Sequence, residues 1–200
     1  MITSAASLDY DASTNLIANG GFETNTTDWA DGGNTTLTRS TEQAHSGGAS
    51  GKSVMDATNA GENACAAYGV TFSGAGTYTF SIWVYVPTAW SGGTVAIDHS
   101  GYAGSSPADG TNVNANMATR DAWQRVTSTF VIAGGDLAGQ LRVVATGIES
   151  GESIYVDDAQ AEAGAVATPY IATDGGVASR AATAIVLPTL SMNSRRGSVA

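Results

Sequence analysis

The chain is poor in the residues that carry most protein chemistry. In 200 residues it has one cysteine (Cys65), one lysine (Lys52), two histidines (His45 and His99) and four prolines, and only 13% of its residues are charged. A single thiol excludes an internal disulfide. Cys65 sits in the apolar run 64–68, which points to a buried, inert side chain. No window approaches the roughly 20 apolar residues that a membrane helix needs, so membrane insertion is not expected. Residues 1–7 lack the basic region and apolar core of a signal peptide, so export by that route is not expected either. Net charge is −10; a phosphate backbone is repelled, which argues against nucleic-acid binding. Long helices are also missing, because Gly, Ser, Asn and Thr crowd the sequence and are poor in helix interiors.

What the chain does have is a 42% hydrophobic fraction, enough for one globular domain with a real core, and period-2 patterning. The clearest strand is 77–86. Tyr78, Phe80, Ile82, Val84 and Val86 form an apolar face, while Thr79, Ser81, Trp83 and Tyr85 fall on the other. Pro87 ends it. Further strands are expected at 35–39, 64–72, 94–98, 123–132, 140–145 and 153–160. Gly-rich turn clusters separate them, as at 31–34, 46–48, 73–76, 91–93, 133–136 and 150–152. Short strands between such turns predict an all-β, antiparallel two-sheet sandwich. Residues 99–121 read as a long polar loop, suited to rim a ligand groove or to touch a neighbouring subunit.

Residues 15–29, NLIANGGFETNTTDW, hold the most information. Gly20 and Gly21 permit a sharp turn, Phe22 and Trp29 can anchor its flanks in a core, and Glu23 is well placed to hold a metal. The segment resembles the opening of the jelly-roll carbohydrate-binding modules of the galactose-binding-like group, the type appended to glycanases. Four later pieces resemble the family in order: HSGGASGKSV at 45–54, GTYTFSIWV at 76–84, WQRVTSTF at 123–130 and IYVDDA at 154–159. The resemblance implies a two-sheet jelly roll over 15–162. It implies a structural calcium joining the first turn to the last strand, with oxygens from Glu23 and Asp157, the Gly21 carbonyl and carbonyls in loop 46–52. Asp158 is the alternative to Asp157, and Glu23 and Asp157 could instead only bond nearby backbone amides. It also implies a sugar groove on the face of Trp83 and Tyr85, flanked by Trp90 and Tyr102. Against this, Trp83 could pack under a loop or against another subunit. Trp123 is assigned to packing.

The segment 160–182 resembles one common in tail and fibre proteins of tailed bacteriophages, matching at Gln160, Glu162, Gly164, Thr168, Tyr170, Ile171, Thr173, Gly175, Arg180, Ala181 and Ala182. Physically it is a strap of small residues. It either meets a neighbouring surface through Tyr170 and Arg180 or closes its own domain. The expected layout is an arm at 1–14, a jelly roll at 15–162, a strap at 163–190 and a tail or linker at 191–200. Together these features lead to the expectation of a bacteriophage virion protein, in tail, fibre or head decoration. Such a protein is expected to be homo-oligomeric, to contact other virion proteins and to adhere to a host-surface glycan. The alternative is a polysaccharide-binding module of a secreted glycoside hydrolase, located outside the cell.

An enzyme is not expected. His99 and Ser100 are adjacent and would point to opposite faces of a strand. No Gly-x-Ser-x-Gly elbow and no HExxH occur. A carboxylate pair drawn from Glu23, Asp98, Asp109 and Asp157 would need a separation of roughly 5–9 Å that a sequence does not give.

Overall fold

Strict alternation in one ten-residue strand organises the molecule. The computed structural model describes residues 9–10, 12–135 and 137–184; the expected tail at 191–200 lies outside them. The strands are β1 (Asp9–Tyr10), β2 (Ser13–Asn15), β3 (Trp29–Ala30), β4 (Thr35–Ser40), β5 (Ser50–Met55), β6 (Asn59–Thr71) and β7 (Gly76–Tyr85). They continue with β8 (Val95–Ser100), β9 (Val113–Asn114), β10 (Trp123–Ile132), β11 (Ala138–Ile148), β12 (Ser153–Ala163), β13 (Ala178–Arg180) and β14 (Thr183–Ala184). Among the described residues there is no α-helix, and hence no helix long and apolar enough to cross a membrane.

Two five-stranded antiparallel sheets face each other, ordered β10-β7-β12-β5-β4 and β3-β6-β11-β8-β9. The first contributes Phe80, Ile82, Val84, Val126, Phe130, Ile132, Ile154 and Val156 to the shared core; the second contributes Cys65, Tyr68, Val70, Ile97, Leu141, Val143 and Ala145. This is the all-β sandwich that the alternation predicts. Every expected strand forms. β5 was not expected because Ser50-Gly-Lys-Ser-Val-Met55 shows no apolar alternation, and the two- and three-residue strands were not because so few residues display no period. The 99–121 stretch is less of a loop than expected: its first two residues finish β8 and it contains β9.

The opening turn closes against the far end of the chain. Phe22 is fully buried beside Trp29, ring centroids 4.9 Å apart, and the Trp29 indole donates to the Asn19 carbonyl at 2.8 Å. Gly20 is required by close approach: a Cβ there would collide with the Ala159 carbonyl oxygen. The approach is made by a bulge in β12. Across β7, Asp157 pairs with Trp83 but Gln160 pairs with Ser81, so three steps on one strand match two on the other. Asp158, with φ of 49°, carries the bulge, and the Ala159 amide turns to Gly20 O at 2.9 Å. The bulge buries Asp157 and Asp158 together, where simple alternation would have separated them.

Candidate functional site

The outer face of the first sheet has an aromatic end. Trp83 and Tyr85 on β7 stand beside Trp123 on β10 and Tyr155 on β12, because the registers pair Trp123 and Tyr155 with Tyr85. The Tyr85 ring lies 5.6 Å from Trp123 and 5.8 Å from Tyr155. Trp83, Tyr85 and Trp123 are partly exposed. One face of Trp83 is taken by His45, stacked at 3.7 Å. Carboxylates border the group. Glu42 accepts from Tyr155 Oη at 2.6 Å and pairs with Lys52 at 2.7 Å, and Asp121 lies below the ordinary carboxylate range through hydrogen bonds from the Thr88 hydroxyl and amide.

Trp83 and Tyr85 are thus outward and adjacent, as the alternation of β7 requires. Trp90 and Tyr102 are not with them. Trp90 is buried, with its indole donating to Gly93 O at 3.2 Å. Tyr102 is fully buried against Phe72, and its hydroxyl donates to Val70 O at 3.1 Å. Burial pushes that phenol far above its usual range. Both rings fill the core from loops, so neither can flank a groove. Trp123, assigned to packing, is outside the inter-sheet core and packs on the aromatic end instead. Its signal was present: Val126, Phe130 and Ile132 set the inward parity of β10, which leaves position 123 outward.

Beside the aromatic end lies a carboxylate-rich turn. Asp157 accepts from the His45 and Ser46 amides at 2.8 and 3.2 Å and from the Asp158 amide at 2.8 Å. Burial, and then the neighbouring Asp158, push it up to about 7. Asp158 accepts from Ser46 Oγ and meets His45 Nδ1, both at 2.7 Å. Glu23 accepts from the Gly48 amide at 3.1 Å. Gly47, at φ of 61°, leaves room for that carboxylate. Gly21, Glu23, Ser46, Gly47, Asp158 and Asp174 line a pocket of about 320 Å³, shared with Tyr170 and Thr173.

Both Asp157 and Glu23 accept three backbone N–H contacts, but Asp157 does not line the pocket. Glu23, Asp158 and the backbone at Gly21 do line it and supply the hard oxygen donors that calcium takes. Among the described residues no three acidic, histidine or cysteine side chains group closely enough to hold a metal alone, so backbone oxygens would be needed.

The strap packs on its own domain. The Arg180 guanidinium donates to Pro169 O at 3.3 Å, and Tyr170 faces the pocket beside Glu23. Arg180 thus bonds within the strap itself, and Tyr170 lies against the opening turn at Gly21.

The outer face of the second sheet is a polar recess. Ala67, Ala96, Asp98 and Val144 point outward yet are 5%, 2%, 0% and 1% exposed, so they form a sunken floor. Arg142 lies over it and grips Asp98 with two hydrogen bonds, Nε to Oδ1 at 2.9 Å and Nη2 to Oδ2. Burial raises the Asp98 carboxyl, and Arg142 pulls it back only in part. Glu62 lies 3.6 Å from Arg142 and accepts from Asn112 at 2.8 Å. His99 is on the opposite, core side of β8, stacked on Phe130 at 4.3 Å. It meets Ser105, not the adjacent Ser100.

A family model described as "Carbohydrate binding domain" matches residues 14–151. No curated protein matches. Solved structures share the fold. The CBM22-1 xylan-binding domain from Paenibacillus barcinonensis Xyn10C is 16% identical with a TM-score of 0.55, covering 84% of this chain and 100% of that one. The C-terminal family 22 carbohydrate binding module of Clostridium thermocellum Xyn10B is 19% identical at 0.55, covering 74% and 94%. The MgGH51 α-L-arabinofuranosidase is 15% identical at 0.58, covering 74% of this chain but 26% of that enzyme. These matches overturn the virion reading. They lead to glycan-binding modules, and the strap that suggested a phage particle lies beyond the residues that the family model matches.

Proposed function

The chain belongs to the carbohydrate binding domain family, and on that premise we propose that it is the non-catalytic glycan-binding module of an extracellular glycan-active protein. The ligand is a neutral polysaccharide. Polyanionic glycans are repelled by the −10 net charge. The observation that carries the reading is the aromatic end of the first sheet, where Tyr85, Trp83 and Trp123 are partly exposed among carboxylates. Sugar rings stack their C–H faces on such side chains, and Glu42 and Asp121 are acceptors for sugar hydroxyls. Xylan is the first ligand to try, since two structural neighbours are xylan-binding domains from one Paenibacillus enzyme.

A second location is favoured by one observation. The recess on the other sheet holds a buried Asp98–Arg142 pair under Asn112 and Glu62, a set of donors and acceptors suited to sugar hydroxyls.

A calcium ion is also proposed in the pocket at Gly21, Glu23 and Asp158, where it would fasten the opening turn to β12.

Isothermal titration with soluble xylan, galactan and β-glucan tests the reading. Trp123→Ala, with the fold intact, is expected to weaken binding about tenfold, the worth of one stacked ring. If that variant binds normally and Glu62→Ala or Asn112→Ala does not, the ligand sits in the recess. Absence of binding to all three polysaccharides sinks the glycan reading.

A further inference from the structure

The aromatic end covers half of the outer face of the first sheet. The other half is hydrophilic, with Thr79, Ser81, Arg125, Thr129, Gln160 and Glu162, and the strap lies over it. The two halves are continuous: Arg125 sits directly across from Trp83, and Ser81 is two residues along the same strand.

Beyond Thr168 the strap is anchored by the Ile171 amide on Gln160 Oε1 at 2.7 Å and by the pairing of β13 with β2. Residues 164–168 themselves are held by polar contacts, the Gly164 amide donating to Thr77 O at 2.9 Å and most of the rest centred on Thr168. The Thr168 amide donates to Glu162 Oε1 at 2.8 Å and its hydroxyl to Glu162 Oε2 at 2.8 Å. Gln160 Nε2 reaches the same hydroxyl at 3.0 Å. Arg125 Nη2 donates to the Thr168 carbonyl at 2.7 Å and to Ser81 Oγ at 2.8 Å. Further along, the Thr79 and Thr129 hydroxyls donate to the Gly164 and Ala165 carbonyls at 2.8 and 3.3 Å. Little apolar surface is buried with these bonds. Residues 163–166 are exposed, and Val166 is 75% exposed. The floor is also incompletely satisfied, because the buried Nε of Arg125 has no hydrogen-bond partner.

We propose that residues 164–168 occupy a latent extension of the glycan groove, in which Thr168 stands in for adjacent sugar oxygens on Glu162, Gln160 and Arg125, and that a long neutral glycan displaces them. This rests on the glycan-binding reading with the aromatic end as the site. The chemistry matches. Glu162, kept in place by Ser13 and Gln160, accepts from two neighbouring donors of the strap, and with an amide and a guanidinium that donate beside it this is the complement of a vicinal diol. Small strap residues held by exchangeable hydrogen bonds belong to the low-stability end of a fold. A hydroxyl-rich ligand replaces those bonds one for one and offers Arg125 Nε an acceptor. Short oligosaccharides are held by the aromatic end alone, so only longer ones compete with the strap.

Hydrogen exchange and calorimetry with xylobiose and xylohexaose test this. Xylohexaose, but not xylobiose, is expected to raise exchange at the Thr168 amide, while Thr168→Val tightens xylohexaose binding roughly threefold to tenfold by raising the open fraction. Should Thr168→Val fail to fold, Thr129→Val loosens the strap at Ala165 and carries the same expectation. Binding of both sugars with strap exchange unchanged and equal variant affinities overturns the displacement but leaves the glycan reading standing. If wild type binds neither sugar and a strap variant binds xylohexaose, the displacement is supported. Should no protein bind either sugar, the groove and its extension both fall.

Discussion

His45 lies flat on Trp83, with ring centroids 3.7 Å apart and planes 16° from parallel, while its Nδ1 meets the buried carboxylate of Asp158 at 2.7 Å. One side chain thereby caps an indole and satisfies an acid. His45→Ala removes a ring contact worth about 0.5–1.5 kcal/mol and strips a buried acceptor of a partner, at about 1–3 kcal/mol. The melting temperature is expected to fall by several degrees, at roughly 2–4 °C per kcal/mol for a chain of this size. Trp83 emission should shift to the red as water reaches the indole. A variant that melts with wild type would show that the cap contributes nothing.

Acid should release the strap. Burial works to raise the Glu162 carboxyl, but hydrogen bonds from Ser13, Gln160 and Thr168 outweigh it and hold the group below its usual range. A carboxylate with a depressed native pKa contributes stability that is present above the unfolded value, near 4.5, and lost as pH falls through the native one. The melting temperature is therefore expected to drop below about pH 4. Glu162→Gln should flatten that acid limb while lowering stability at neutral pH by about 1–3 kcal/mol. An acid limb as steep in the variant as in wild type would count against Glu162 as its source.

The recess depends on its ion pair. Arg142→Met preserves length but leaves the Asp98 carboxylate buried and alone, a loss of about 3–5 kcal/mol. Urea denaturation should show the midpoint falling with an unchanged slope. Adding Asp98→Asn to that variant should recover part of the loss, because the stranded charge is gone. If the double variant is no better than the single one, the cost comes from lost packing rather than from the charge.

Calcium is expected to raise the melting temperature with a dependence on its concentration, since a ligand bound only to the native state stabilises it by mass action. Asp158→Asn should abolish that dependence, whereas Thr36→Ala, remote on β4, should not. Identical melting curves in excess calcium and excess chelator would remove the metal from the account.

How much of this could be read from the residues differs by element. The alternation of β7 alone gives Trp83 and Tyr85 an outward face, and the fold follows from many short strands between Gly-rich turns. The same logic applied to β10 would have turned Trp123 outward. Trp90 and Tyr102 were misread because they lie in connections, where no period exists and the destination of a ring depends on distant packing. The Asp157/Asp158 ambiguity could not be resolved locally either. The bulge at Asp158, which brings Ala159 up to the backbone at Gly20 and turns both carboxylates inward, depends on a contact between opposite ends of the domain. The strap misled in another way. Its small residues suit an intermolecular seam and an intramolecular cover equally well, and only the bonds that the folded strap makes, at Thr168, Ile171 and Thr173 among others, distinguish them.

The placement of β12 bears on how the molecule is made. Latest in sequence among the ten sandwich strands, it lies in the middle of its sheet, between β7 and β5. A growing chain that has not reached residue 153 holds two strands with open edges and nothing to join them. Such edges are sticky. The sandwich therefore closes only after residues 153–163 have left the ribosome, by pairing residues far apart in sequence, a slow route exposed to aggregation. Expression at low temperature, or with chaperones that shield nascent strands, should raise the soluble yield more for this protein than for a sandwich whose last strand lies at an edge.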